Sequence, residues 1–293
     1  MNGSNSRENI GAEKIAKYLG LKNIHELASI LSEVLGESIQ PDVDLIYHRF
    51  NYFLIDSKSN KYDPNDEFSG LRQILFNGNH VGWRCILSYD EDNFQDYEGN
   101  RPSFFGRLRD SINPLDIGHI LALELFSFIK QDSVWIKQNG VWNKEKTEEI
   151  CNSQKYNLVP QFKRANENSR DDVGQARFEN WLHSELMNHE GEQVYYEVEE
   201  IFKNTNDIVP IGTRIFACKY GTPPSTFTSS YLRKLILPFH VFIPNYGFIE
   251  EEGKGKVKNK NFDSNYLLDK LDKPGEPKEP RNFYKTCCDK WKI

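Results

Sequence analysis

Apolar positions in the stretch 6–37 recur at helical spacing. Ile10, Ile15, Tyr18 and Leu19 fall on one side of a first short segment, and Ile24, Leu27, Ile30, Leu31, Val34 and Leu35 repeat at three and four in a second. The pattern predicts an N-terminal helical hairpin that turns near Gly20 and stops near Gly36. From 42 to 90 the texture changes to short β-prone runs, 45–54 and 82–89, broken by polar turns such as 60–66. Stretch 175–189 is helical again, with Phe178, Trp181, Leu182 and Leu186 as its apolar stripe. Segments 194–202 and 213–220 read as strands about a polar turn at 204–207. A further hairpin is predicted where Trp135, Lys137, Trp142 and Lys144 flank Asn139-Gly140, a dipeptide that favours a tight turn between strands.

Helices and strands do not alternate regularly, so the predicted class is α+β and not a doubly wound sheet. Three regions are expected: a helical element over 1–40, a main domain over 41–250, and a Lys-, Gly- and Pro-rich segment over 251–293. In the last, Lys254, Lys256, Lys258 and Lys260 could grip a nucleic-acid backbone, but they read first as a solvated flexible loop, because acidic residues flank them.

Composition narrows the class without naming a function. With 293 residues and 38% hydrophobic content the chain can bury a sizeable core. No internal repeat appears at solenoid or propeller periods. The longest apolar runs, such as 236–243, fall well short of the ~20 residues that span a bilayer, so no membrane partner is expected. The N-terminus lacks a basic stretch followed by an apolar run, which favours a cytoplasmic protein, or one delivered to a target cell by another route. Cys85, Cys151, Cys218, Cys287 and Cys288 are scattered, which favours free thiols over a disulfide framework or a zinc site. A formal charge of −6 disfavours a nucleic-acid partner only weakly, since an enzyme needs a local basic patch and not a basic whole.

Two stretches carry candidate chemistry. One is Asp116-Ile117-Gly118-His119; the other is Asn157-Leu158-Val159-Pro160-Gln161, with Asn166 nine residues after Asn157. Cutting a phosphodiester requires a base to take a proton from the attacking water and positive charge to stabilise the phosphorane. A histidine supplies the first and a hard divalent cation the second. Magnesium keeps most of its waters, so one carboxamide oxygen is a sufficient protein anchor when the substrate phosphate supplies another ligand.

These elements resemble the non-specific DNA/RNA endonucleases of the ββα-metal, or His-Me finger, class, most of all the nuclease domains of bacterial polymorphic and type VII secretion toxins. That family carries Asp-x-Gly-His on one strand and Asn-[Leu/Ile/Val]-x-Pro on the next. A metal-binding Asn follows nine residues after the first Asn, and a Glu lies on the following helix. The match runs over about 82–220 and includes Asn100-Arg101-Pro102 and Ala176-Arg177-Phe178-Glu179-Asn180.

The resemblance implies a ββα-metal finger core on a mixed or antiparallel sheet. It further implies His119 as general base, Glu179 as a second catalytic residue, Asn166 as ligand to magnesium or manganese, and Asn157 in support. On the residues themselves, Asp116 either orients His119 or caps a turn, and Arg101 and Arg177 are candidate phosphate contacts because a guanidinium fork suits a non-bridging phosphate pair. The implied reaction is hydrolysis of DNA or RNA with little sequence preference, leaving 5′-phosphate ends. An inhibitor, immunity or regulatory partner would act through 1–80, in a toxin effector or a defence nuclease. The other reading is an inactive relative that binds nucleic acid or an inhibitor. The sequence departs from the pattern at Ile117, where many relatives have Arg or Gly, and in a long His119–Asn157 connection. Residues 167–174 also lengthen the path to Glu179, leaving Asn168 as a rival ligand to Asn166.

Overall fold

The computed structural model describes residues 11–57, 59–65, 70–91, 115–129, 137–138, 141–142, 150, 157–167, 173–204, 207, 209–221, 236–246, 248–251 and 255–258; for 115–117, 137–138, 141–142, 248–251 and 255–258 it describes the backbone alone. Two helices open the described chain, α1 (Ala12–Tyr18) and α2 (Ile24–Leu35). The Asn23 side chain accepts the Glu26 amide at the start of α2, and Gly36 closes it in the left-handed conformation, φ 68°. The apolar spacing is used as expected: Ile15, Leu19, Leu27, Leu31 and Leu35 are all buried.

The centre of the fold is a seven-stranded sheet, antiparallel throughout. Its strands are β1 (Leu45–His48), β2 (Tyr52–Ile55), β3 (Leu71–Phe76), β4 (Asn79–Ser88), β9 (Gln193–Ile201), β10 (Gly212–Lys219) and β11 (Phe239–Pro244), in the order β1-β2-β11-β10-β9-β4-β3. The β-prone run 45–54 is two strands, turned at Asn51 with φ 64°. Between β3 and β4 the turn is Asn77-Gly78, both at positive φ, the requirement of a tight hairpin.

Strand alternation gives the sheet two differently covered faces. On one, Trp83, Cys85 and Leu87 of β4, Tyr196 and Val198 of β9, Ile215 of β10 and Val241 of β11 share a core with elements of the 115–188 region. On the other, Ile201 and Phe242 pack with Phe53 and with the buried residues of α1 and α2.

The segment between β4 and β9 contributes β5 (Leu115–His119), α3 (Leu123–Phe126), β6 (Lys137–Gln138), β7 (Val141–Trp142), β8 (Leu158–Phe162), α4 (Lys163–Asn166) and α5 (Gln175–Asn188). Strands β6 and β7 pair antiparallel, Lys137 opposite Trp142, in the register expected of a hairpin about Asn139-Gly140. Phe178, Leu182 and Leu186 form the buried stripe of α5, and Trp181 packs at its margin. After β11 come β12 (Phe248–Glu251) and β13 (Gly255–Lys258), paired antiparallel. This corrects the reading of the lysine alternation as a loop: Lys256 and Lys258 lie in a strand, where backbone pairing and not charge decides the conformation. The cysteines described, Cys85 and Cys218, are buried free thiols. No described helix is long and apolar enough to cross a membrane.

Candidate active site

His119 is the last residue of β5, which pairs antiparallel with β8 so that His119 lies opposite Leu158 and Gly118 opposite Val159. The glycine before the histidine has a steric cause. A Cβ at position 118 would lie 1.8 Å from Oε1 of Gln161, so only glycine lets the Gln161 side chain cross here.

Beyond His119 the chain is held by Asn157, which is fully buried. Its carboxamide oxygen accepts the Leu121 amide and its carboxamide nitrogen donates to the Leu121 carbonyl, both at 2.9 Å, while its own carbonyl accepts the Ile120 amide at 2.8 Å. Asn157 therefore acts on the histidine strand as a backbone clamp. A second asparagine, Asn245, ties β8 to the large sheet, accepting the Phe162 amide at 2.7 Å and donating to the Pro160 and Pro210 carbonyls.

Asn166 ends α4, a single turn that contacts β5, β8 and α5. It is partly exposed. Glu179 lies one turn into α5, also partly exposed. Burial of its carboxyl pushes the pKa up to about 8; the hydrogen bond from Gln175 opposes the shift, the charge of Glu124 adds to it, and the Ala122 backbone opposes it. Arg177 is exposed on the same helix, and its charge reaches the Tyr52 hydroxyl, whose pKa burial pushes up to about 12.

The structure thus places His119, Asn166 and Glu179 on the adjoining elements β5, α4 and α5, with Asn157 immediately before β8. Arg177 is set apart on the exposed side of α5. Arg101 and Asn168 lie outside the described residues, as does the side chain of Asp116.

Sequence reading passed over a run of buried polar side chains beneath these residues. Gln161, fully buried, donates from its carboxamide to Gln175 Oε1 at 3.0 Å, to Glu200 Oε1 at 3.1 Å and to Thr213 Oγ1 at 3.0 Å. Gln175 in turn donates to the His119 carbonyl at 2.9 Å, the Ile120 carbonyl at 2.8 Å and Glu179 Oε1 at 2.7 Å. Gln161 stands inside the Asn157–Gln161 motif and was visible there. Gln175, Glu200 and Thr213 carry no signal except their polarity at positions that the helix and strand patterns turn inward.

Oxygen donors on Asn166 and Glu179 suit a hard divalent cation. Among the described residues no group of three or more His, Cys, Asp or Glu side chains is placed to hold a metal ion.

No protein-family model matches the chain, and no curated protein matches it in sequence. Among solved structures, NucA from Streptococcus agalactiae with magnesium ion bound is similar, with a TM-score of 0.50 at 16% identity, covering 82% of this chain and 99% of that one. NucA with no metal bound gives 0.46 at 14% identity, over 80% of this chain and 96% of that one. The Sda1 nuclease with bound zinc ion gives 0.33 at 13% identity, over 61% and 75%. The likeness to magnesium-bound NucA establishes that this chain shares the fold of a bacterial nuclease, helices packed on an antiparallel sheet.

Proposed function

We propose that this protein is a divalent-metal-dependent endonuclease that hydrolyses DNA or RNA backbones, with the β5–β8 pair, α4 and α5 forming a ββα-metal finger. The observation that carries the reading is that Gly118-His119, Asn157, Asn166 and Glu179 stand on or beside adjoining elements in the order of that class, with its nine-residue step from Asn157 to Asn166.

In this reading His119 takes the proton from the attacking water. Asn157 holds the backbone just after it, so the imidazole is presented from a rigid strand end. Asn166 is the protein ligand to magnesium or manganese, and Glu179 the carboxylate beside it. The cation, when bound, offsets negative charge developing on the phosphate and the leaving oxygen. Arg101, by its place in the motif, pairs with non-bridging phosphate oxygens, for which a guanidinium fork is suited; Arg177, on the exposed side of α5, is not assigned this role. Contacts of this kind read the backbone and not base edges, so sequence preference is weak.

The test is incubation of the purified protein with supercoiled plasmid and with single-stranded RNA, with magnesium, with manganese, and with excess chelator. Metal-dependent cleavage that chelator abolishes is expected on at least one substrate, with 5′-phosphate ends. Intact substrates in both metals, alongside a mobility shift of the same nucleic acids, would overturn the enzyme reading in favour of an inactive nucleic-acid-binding relative.

A further inference from the structure

Gln175 stands at the first position of α5, is 1% exposed, and is the side chain through which the histidine strand and Glu179 are joined. Its orientation is fixed by its partners. The His119 and Ile120 carbonyls can only accept, so the carboxamide nitrogen faces them and Glu179, and the carboxamide oxygen is left to accept from Gln161. Two N–H bonds serve three oxygens, which requires a shared hydrogen and a narrow range of side-chain positions. Gln161 is itself held by Glu200 of β9 and Thr213 of β10, so an unbroken chain of hydrogen bonds runs from the rigid sheet through β8 to α5.

We propose that Gln175 is a positioning residue for the phosphodiesterase chemistry, setting the Glu179 carboxylate relative to the backbone that presents His119. This rests on the nuclease reading above. Gln175 reaches no substrate in this scheme. It acts through Glu179, and groups that orient a site residue in this manner contribute on the order of ten- to a hundredfold to activity.

The consequence is a non-additivity that a packing role would not produce. Gln175→Met keeps the side-chain length and burial but removes every hydrogen bond. Gln175→Asn keeps a buried carboxamide and draws it back by one methylene, which guards against a variant that does not fold. Cleavage of a short labelled duplex DNA and of a labelled single-stranded RNA is followed at saturating magnesium with enzyme in excess, for wild type, Gln175→Met, Gln175→Asn, Glu179→Gln and the two double variants, and rates are compared on whichever substrate the wild type cuts.

The expected result is a ten- to hundredfold fall in the maximal rate for Gln175→Met and a smaller fall for Gln175→Asn. Substrate affinity should change little, and neither substitution should have a further effect when Glu179→Gln is present. Wild-type cleavage combined with a Gln175→Met rate within about threefold of it would overturn the inference and leave the nuclease reading standing. So would losses that multiply with that of Glu179→Gln. Absence of cleavage by the wild type would overturn both.

Discussion

Acid should unfasten the buried charge cluster on β9, β10 and β11, beginning at His240. This histidine is 1% exposed on β11, with Nδ1 2.9 Å from the Ser57 carbonyl and Nε2 2.9 Å from an Arg214 nitrogen. A guanidinium only donates, so Nε2 must accept and the single ring proton sits on Nδ1. Around it, Arg214 bonds Glu197 and Glu199, Lys61 bonds Glu199 at 3.0 Å, and Ser59 and Tyr195 bond Glu197. Burial, and then the charge of Arg214, hold the His240 pKa well below 6.5; the hydrogen bond to Ser57 opposes this and the charge of Lys61 adds to it. The unfolded chain takes up a proton at its ordinary value and the folded chain does not. Stability from this group is therefore complete above pH 6.5 and falls as the pH drops below it. One proton per pH unit corresponds to about 1.4 kcal/mol, so the loss between pH 6.5 and 5.0 is at most about 2 kcal/mol. Urea unfolding at several pH values, for wild type and His240→Gln, measures it. Glutamine places an acceptor toward Arg214 and cannot be protonated, so its stability should fall less steeply than that of wild type over that interval. Parallel curves for the two proteins would refute the argument.

Arg214→Met leaves Glu197 and Glu199 buried without their principal partner and should destabilise by about 3–5 kcal/mol, read as a drop in melting temperature; a change under 1 kcal/mol would show that the cluster is slack. Gly118→Ala forces Gln161 out of its position and should cost about 1–3 kcal/mol together with most cleavage activity, so a variant as stable and active as wild type would contradict the close approach. Asn166→Ala should lose activity mainly through metal affinity and recover partly as magnesium is raised, whereas Asn168→Ala should be mild; the reverse outcome would move the ligand to Asn168.

Local periodicity carried much of the fold. The stripe of Phe178, Leu182 and Leu186 and the two N-terminal helices follow from spacing alone, because each buries a single face. Asn77-Gly78 was as legible as Asn139-Gly140 and announces the β3–β4 hairpin, but the run before it, Leu71–Phe76, has only two buried positions and too weak an alternation to be read as a strand. Strand order was not legible. Nothing in β11 states that it sits between β2 and β10, since that choice is made by packing between distant segments.

The candidate site divides in the same manner. His119, Asn157 and Asn166 stand in a motif with fixed spacing. Gln175, Glu200 and the Ser59–Glu197 and Lys61–Glu199 pairs, each of the latter 138 residues apart, exist only once the sheet is formed. The lysine alternation misled because charge says little about whether a backbone pairs with a neighbouring strand.

The most direct test of the account is the cleavage rate of His119→Ala beside wild type, on plasmid at saturating magnesium, with melting temperatures recorded on the same samples. If His119 is the general base at the end of β5, the rate should fall by roughly two to four orders of magnitude while the melting temperature stays close to wild type. Cleavage within a few-fold of wild type by a folded His119→Ala protein would contradict the assignment.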